Sequence, residues 1–195
     1  MKIRPLEPSD APALHAILQS PEGMLETARI PTTTKQWVEE KLLRVAPDRH
    51  LIGAELDGCI VGFAGLEVMT NPKMRHAATY WTAVHDDFRG KGIGGKLLDA
   101  VIELADKWLG LVRIELHVNE TNARGIALYT KKGFVEEGRL RSAILRDGKL
   151  VDTIVMGRVV PAPVMMGAPS TSGTKAPRAP GPAKAIKKAK AKRMR

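Results

Sequence analysis

The sequence predicts a mixed α/β domain with a mostly antiparallel sheet, followed by a basic C-terminal segment. Stretches with apolar residues at every second position alternate with stretches whose apolar residues repeat every 3.6 positions, as strands and helices require. Two Asp-Gly pairs, at 57–58 and 147–148, each separate two apolar runs and predict hairpins. A length of 195 residues allows one ordinary domain and little more.

The N-terminal half is predicted to contain four strands and two helices. A hydroxyl or carboxylate side chain that can cap a helix precedes each helical segment. In the first helix the apolar residues share one face, and Pro21 with Gly23 is expected to end it. The predicted elements are a strand at 2–6, a helix from Ser9 or Asp10 to about Ser20, a helix from Thr33 or Thr34 to a point before Pro47, and strands at 50–56, 59–69 and 77–85.

The C-terminal half begins with the longest predicted helix. Its apolar residues keep the helical period from Ile93 to Trp108, and Gly110 is expected to end it. Trp108, like the other two tryptophans, is expected to lie in the core. Strict alternation over 112–119 predicts a strand. The remaining predicted elements are a helix from about Asn122 to Lys131 and strands at 134–145 and 150–159.

Positive charge is concentrated at the C-terminal end of the chain. The sequence has 31 Lys and Arg residues against 21 Asp and Glu residues, a net charge of +10. Residues 161–195 hold nine of the basic residues and no acidic one, which leaves 22 basic against 21 acidic in residues 1–160. We therefore expect a nearly neutral folded domain at 1–160 and a disordered tail rich in Pro, Ala and Lys at 161–195.

The composition excludes a disulfide framework and a transmembrane helix. Cys59 is the only cysteine, and no run of 18 apolar residues occurs. The N-terminal segment lacks the apolar region of a secretory signal, and the five histidines show no zinc-ligand spacing. We therefore expect a cytoplasmic protein with no membrane partner and no metal site.

A glycine-rich turn is predicted between the strand that ends at Val84 and the long helix. Glycine lets the backbone approach a ligand closely, and the free N–H groups at a helix start favour an anion. The spacing matches neither the Walker A pattern nor the dinucleotide-binding pattern. The turn therefore predicts a diphosphate site, with a plain tight turn as the alternative. Its cations and glycines are Arg89, Gly90, Lys91, Gly92, Gly94 and Gly95.

Two motifs resemble those of the GCN5-related N-acetyltransferase (GNAT) family. The first, Arg-x-x-Gly-x-Gly, runs from Arg89 to Gly94 and is similar to the pyrophosphate loop of the family. The second begins at Asn122, contains Tyr129 and ends in Gly-Phe, as the last motif of the family does. The resemblance covers residues 1–160. It implies a mixed, mostly antiparallel sheet of six to seven strands, splayed between the fourth and fifth and flanked by about four helices.

The resemblance implies direct transfer of an acetyl group from acetyl-CoA to a primary amine. The likeness is closest to bacterial enzymes that acetylate the α-amine of free amino acids, because of the stretches 20–31 and 146–152. In such an enzyme the backbone N–H near Val84 would polarise the thioester carbonyl, and Tyr129 would donate a proton to the departing thiolate. The residues expected to bind acetyl-CoA are Val84, Arg89, Gly90, Lys91, Gly92, Ile93, Gly94 and Asn122.

The attacking amine must be neutral, so a general base is expected. An α-amine has a pKa near 8 and a lysine amine a pKa near 10.4, so either substrate gains from a base. The family has no base at a fixed position. Four residues near the strand ends are candidates, of which Glu67 is placed first: Glu67, His85, Glu115 and His117.

Other functions stay open at the level of sequence. A protein or peptide N-acetyltransferase would carry the same motifs but an open groove, whereas a pocket closed by residues 21–33 would favour a small-molecule amine. The nine cations of 161–195 could bind nucleic acid nonspecifically through its phosphates, or could serve only solubility. A homodimer is compatible with the resemblance, because such families often form dimers.

Overall fold

The computed structural model describes residues 1–161, in which one seven-stranded sheet carries helices on both faces. The predicted tail therefore lies almost wholly outside the described residues, and its boundary stays a prediction. The strands are β1 (Lys2–Pro5), β2 (Arg49–Leu56), β3 (Cys59–Val68), β4 (Ala77–Val84), β5 (Arg113–Asn119), β6 (Val135–Arg146) and β7 (Lys149–Val159). Their order across the sheet is β1-β2-β3-β4-β5-β7-β6.

Five helices connect or flank the strands. They are α1 (Ala11–Gln19), α2 (Pro21–Glu26), α3 (Lys35–Trp37), α4 (Ile93–Glu103) and α5 (Ala123–Lys131), and π-helical turns at Val38–Leu42 and Leu104–Leu109 continue α3 and α4. Short 3₁₀ turns lie at Pro8–Asp10, Pro72–Met74 and Asp86–Phe88. No helix within the described part of the chain has both the length and the apolar character needed to cross a membrane.

The sheet opens between its fourth and fifth strands. All neighbouring strands pair antiparallel except β4 and β5, which run parallel and pair at only three positions. The last of these joins Thr79 to Glu115. From Tyr80 and Leu116 onward the two strands diverge and share no ladder hydrogen bonds. The splayed sheet implied by the family resemblance is thereby confirmed.

Alternation along the strands builds a separate core on each face of the sheet. Leu66 and Tyr80 point to the face covered by α4 and α5, where the larger core lies. Phe63 and Trp81 point to the opposite face, where they pack with α1 and the π-helical turn after α3. The opening between β4 and β5 therefore lies between two packed layers.

Helix α2 is absent from the predicted elements. The first helix ends at Gln19, before Pro21 as expected, because the backbone is extended at Ser20, but a new helix begins at Pro21. Proline suits the first turn of a helix, because its fixed φ is helical and its missing N–H would have no partner there. Gly23 lets α2 pack tightly, since a Cβ at this position would lie 2.1 Å from the Ile17 carbonyl oxygen.

Trp108 corrects a prediction from the sequence, because it is 79% exposed rather than in the core. After Glu103 the regular helix widens into a π-helical turn, which changes the angle between successive side chains. Ala105 then stays fully buried while Trp108 turns outward. The apolar period predicts a buried Trp108 only if the helix stays regular as far as Trp108, which it does not.

Candidate active site

The opening of the sheet forms a cavity of about 970 Å³. This volume lies at the upper end of the range for small-molecule sites, enough for an extended ligand. Its lining comes from both layers, so the cavity joins the two faces of the sheet. On the α4/α5 side it includes Gly92, Gly94, Asn122, Leu128 and Tyr129, and on the α1/α3 side it includes Leu18, Trp37, Leu42, Phe63 and Trp81.

The predicted diphosphate loop lies at the α4/α5 end of this cavity. Gly90 and Gly92 have φ values of +75° and +79°, a left-handed conformation that residues with a side chain rarely adopt. Gly92 is the N-cap of α4, whose first N–H groups have no partner within the helix. Gly94 lies inside the helix, and a Cβ there would be 3.7 Å from Leu128, an ordinary contact. The loop therefore requires glycine for its conformation at Gly92 but not at Gly94.

Arg89 holds this loop in place rather than projecting freely into the cavity. Its Nε donates a hydrogen bond to the Val84 carbonyl at 3.2 Å and lies 3.1 Å from the Asp86 carboxylate. A guanidinium nitrogen also lies 3.8 Å from Glu22. The Nζ of Lys91 lies 5.0 Å from the ring centre of Phe88. The N–H groups at the start of α4 are thus the most direct anion-binding groups of the loop.

The other residues predicted to bind acetyl-CoA are also placed by the fold. Val84 ends β4 and lines the cavity, and the side chain of Ile93 lines it while packing into the core. Asn122 is the N-cap of α5, where its Oδ1 accepts a hydrogen bond from the Gly125 N–H at 2.8 Å. Asn122 therefore starts the helix that presents Tyr129, and it also lines the cavity.

Tyr129 is buried at the cavity wall and is protonated at neutral pH. Burial raises the pKa of its hydroxyl to about 12, and the negative charge of Glu26 adds to this shift. Its ring lies edge-on to Tyr80, with 6.1 Å between ring centres, and 6.0 Å from the ring of Phe134. A phenol that keeps its proton at neutral pH suits the predicted role of proton donor.

Glu67 lies on the α1/α3 side of the cavity. It is directly opposite Arg49 in the β2/β3 ladder, and the two side chains form an ion pair at 3.1 Å. The Glu67 side chain is 40% exposed and lines the cavity, so it can accept a proton from an amine entering on this side. Arg49 also donates to the Lys41 carbonyl at 2.7 Å, which fixes the orientation of the pair.

The other three candidates for the general base differ in whether they line the cavity. His117 lines the cavity, and its Nε2 lies 3.5 Å from Glu115. Glu115 itself accepts a hydrogen bond from Arg113 at 2.8 Å and does not line the cavity. His85 caps the turn after β4, where its Nδ1 accepts from the Asp87 N–H. Glu67 and His117 are therefore the two candidates that reach the cavity.

Three cations lie at the α1/α3 end of the cavity, and the sequence analysis did not identify them. They are Arg29, Lys41 and Arg44, which we call the cavity cations. The guanidinium of Arg29 lies over the ring of Trp37, 4.4 Å from its centre. None of the three forms an ion pair with a carboxylate of residues 1–161. Only their convergence on one cavity distinguishes them from ordinary surface cations.

The acidic residues of the cavity are already paired. Glu67 is paired with Arg49, and Glu26 with Arg146 at 2.9 Å. Neither carboxylate therefore neutralises the cavity cations, and this end of the cavity carries excess positive charge. Such a site attracts a ligand with a negative group.

Helix α2 lies across the open end of the splayed sheet. At its start, the Ser20 hydroxyl and the Glu22 N–H donate to the Asp86 carboxylate, at 3.1 and 3.0 Å. At its end, Asn119 of β5 donates to the Leu25 carbonyl at 3.3 Å. The helix thus connects the β4 side of the opening to the β5 side and narrows it. Residues 21–33 are the segment that the sequence suggests could close a pocket, although no helix is predicted there.

A model of the Acetyltransferase (GNAT) family matches residues 12–134. The chain belongs to this family. This N-acetyltransferase is 32% identical over 157 residues to the L-amino acid N-acetyltransferase AaaT of Escherichia coli, which covers 80% of this chain and 96% of that protein. The predicted family and transferase activity are thereby confirmed.

Solved structures support the same assignment. An acetyltransferase of the GNAT family from Streptococcus pneumoniae has a TM-score of 0.72 at 27% identity, covering 82% of this chain and 99% of that chain. A putative phosphinothricin N-acetyltransferase has a TM-score of 0.74 at 26% identity, covering 81% of this chain and 97% of that chain. Both similarities extend over nearly the whole of the relatives, so the N-acetyltransferase shares their complete fold.

Proposed function

We propose that this N-acetyltransferase transfers the acetyl group of acetyl-CoA to the α-amine of a free amino acid or a similar small acid. The observation that carries the proposal is the group of cavity cations at the α1/α3 end of the cavity, where the acceptor would bind. The nearby carboxylates do not neutralise these cations. The similarity to an L-amino acid N-acetyltransferase over most of both chains supports the same acceptor class.

The positive charge at the α1/α3 end of the cavity distinguishes among three classes of acceptor, which are free amino acids, polyamines and protein N-termini. A free amino acid presents a carboxylate next to its amine, and a cationic site attracts that carboxylate. A polyamine carries only positive charge and would be repelled. A protein N-terminus has an amide where the free amino acid has its carboxylate, so it would leave the cavity cations without a partner. Closure of the opening by α2 further favours a small molecule.

Acetyl-CoA fits the other end of the cavity by its chemistry. The N–H groups at the start of α4 suit its pyrophosphate. The edge of β4 from Tyr80 to Val84 has no partner strand on the β5 side, so its backbone groups can bond the amides of the pantetheine arm. With acetyl-CoA bound in this way, its thioester would lie inside the opening of the sheet, between the two layers.

The side chains around the opening then suit direct transfer. The amine nitrogen attacks the thioester carbonyl, the C–N bond forms, and the C–S bond breaks. Glu67 accepts a proton of the amine, directly or through a water molecule. A backbone N–H on the free edge of β4 polarises the carbonyl, and Tyr129 donates its proton to the departing thiolate. Comparison of Glu67→Gln with His117→Gln in one assay identifies which residue is the base.

A matched acceptor series tests the proposal. Thiol release from acetyl-CoA is measured with free amino acids, the corresponding amino acid amides, spermidine and short peptides. We expect kcat/KM to fall at least tenfold from each amino acid to its amide, because only the carboxylate is lost. Arg44→Gln should reduce this difference. Equal rates with amides, or faster rates with peptides, would instead assign the enzyme to protein N-termini.

A further inference from the structure

The only two tyrosines of the chain meet where the sheet opens. Tyr80 is the first residue of β4 after the last pair with β5, and Tyr129 comes from α5. Their rings lie edge to face, with 6.1 Å between centres and planes at 79°. Both side chains line the cavity. The role of Tyr129 follows from the family motif, whereas no motif assigns a role to Tyr80.

Among the described residues, none forms a hydrogen bond of normal geometry with the hydroxyl of Tyr80. The residue is 2% exposed and its oxygen is fully buried. A buried hydroxyl without a partner destabilises a folded protein, and such groups are rare in native structures. Because Tyr80 lines the cavity, a ligand in the cavity can supply the partner that the protein does not.

The surroundings of Tyr80 make it a hydrogen-bond donor. Burial raises the pKa of Tyr80 well above its usual value, and the nearby Tyr129 adds to this shift. Thr82 is next to Tyr80 on the same strand face, and a weak hydrogen-bonding interaction between the two hydroxyls lowers the pKa of Tyr80 slightly. The Thr82 hydroxyl donates its own proton to the Phe63 carbonyl at 2.8 Å. Tyr80 therefore keeps a proton that it can donate to a ligand.

The direction of the ligand follows from the order of the elements. The diphosphate loop follows Val84 after the 3₁₀ turn Asp86–Phe88, so the nucleotide end of acetyl-CoA belongs beyond that end of β4. A ligand that follows the free edge of β4 from Val84 runs back toward Tyr80, a distance of about 13 Å for four strand residues. The thioester end of acetyl-CoA would then lie beside the two tyrosines.

We propose that the Tyr80 hydroxyl donates a hydrogen bond to the acyl-thioester end of bound acetyl-CoA. Tyr80 orients this end while Tyr129 supplies the proton to the leaving thiolate, so Tyr80 undergoes no net proton transfer. The inference rests on the proposed use of acetyl-CoA, and it does not depend on the identity of the acceptor.

The variant Tyr80→Phe tests this inference by binding, without turnover. Calorimetry measures the dissociation constants of acetyl-CoA and of ADP with a 3′-phosphate, the nucleotide half of coenzyme A. We expect Tyr80→Phe to raise the Kd of acetyl-CoA about fivefold to tenfold and to change the Kd of the nucleotide less than twofold. The melting temperature of the free protein should not fall, because the Tyr80 hydroxyl forms no hydrogen bond of normal geometry in the free protein.

Thr130→Val is the control variant, because the Thr130 hydroxyl donates to the Ile126 carbonyl at 2.9 Å and the residue does not line the cavity. It should leave the Kd of acetyl-CoA within twofold. An unchanged Kd in Tyr80→Phe overturns the inference, as does an equal loss of acetyl-CoA affinity in Thr130→Val. A fall of several degrees in the free Tyr80→Phe protein also overturns it, since the hydroxyl then has a partner without ligand. If the wild-type protein does not bind acetyl-CoA, the proposed function fails as well.

Discussion

The Glu26 carboxylate accepts a hydrogen bond from the Arg146 guanidinium at 2.9 Å, and this ion pair joins the end of α2 to the end of β6. Arg146 also donates to the Leu25 carbonyl at 3.3 Å. The two sequence stretches that suggested an amino acid acetyltransferase, 20–31 and 146–152, therefore meet in space. Their contact holds α2 across the open end of the splayed sheet.

Loss of the ion pair between Glu26 and Arg146 should weaken binding of the acceptor more than binding of acetyl-CoA. In Arg146→Gln the carboxylate of Glu26 keeps its place but loses its charged partner, so we expect α2 to close the cavity less often. Steady-state kinetics should show the acceptor KM raised about fivefold or more, with the acetyl-CoA Kd within twofold. Arg139→Gln is the matched control, because Arg139 lies on the same strand and pairs with the more exposed Glu120. Equal effects of the two variants would contradict the role of α2.

Tyr129→Phe should lower kcat by about 10²-fold, within the usual range for a general acid, with little change in acetyl-CoA affinity. The hydroxyl acts when negative charge develops on the sulfur, so its loss appears in the transition state. The measurement is kcat under conditions where chemistry limits the rate, together with the Kd by calorimetry. A wild-type kcat in this variant would rule out the acid role.

The raised pKa of Tyr129 predicts how the enzyme responds to alkaline pH. Because the hydroxyl has a pKa of about 12, it stays protonated well above neutrality, and kcat should not fall through its titration below about pH 10. The stability effect follows from the same shift. The neutral phenol is favoured in the folded state, so its contribution is fully present below the unfolded pKa near 10 and is lost as the pH rises toward 12.

Unfolding measurements between about pH 9 and 12 check this stability effect. This interval covers the unfolded pKa near 10 and the folded pKa of about 12. The free energy of unfolding should decrease across the interval in the wild-type protein. The decrease should be smaller in Tyr129→Phe, which keeps only the similar contribution of Tyr80. A decrease of equal size in both proteins would mean that Tyr129 is not shielded from solvent.

Gly92 and Gly94 of the loop should differ in their tolerance of alanine. Gly92→Ala should weaken acetyl-CoA binding at least tenfold, because its φ of +79° is strained for alanine and the start of α4 must shift. Gly94→Ala should change the Kd less than threefold, since its added methyl group meets only Leu128 at 3.7 Å. Calorimetry of the two variants gives the comparison. A larger effect at Gly94 would show that the ligand, rather than the backbone conformation, requires glycine there.

A chain that ends at Val160 should keep its melting temperature and its kcat/KM. The reason is the composition of residues 161–195, which have nine basic residues, no acidic residue and few large apolar ones. The full chain, by contrast, should bind duplex DNA with an affinity that falls steeply with salt. If all nine cations contact phosphates, the slope of log K against log salt approaches about −8. Loss of activity on truncation would move the domain boundary, and absence of salt-sensitive binding would favour a purely solubilising tail.

The sequence by itself determined the elements whose signals are local. Hairpins at Asp-Gly pairs, the alternating strand β5, the cap of α5 at Asn122 and the glycine loop after β4 each depend on residues close together in the chain. Turn conformation, strand alternation and helix capping are set by near neighbours, so the pattern is sufficient. The motif spacing also identified the family and therefore the splayed sheet.

Only the tertiary structure decided which distant residues share the cavity. The edge contact of Tyr80 with Tyr129, the ion pair of Glu26 with Arg146 and the convergence of the cavity cations join residues that no local pattern connects. The same holds for Trp108, whose exposure depends on a π-helical turn that the apolar period does not reveal. Long-range packing sets these relationships, because it decides where β4 and β5 separate and which elements close over the gap.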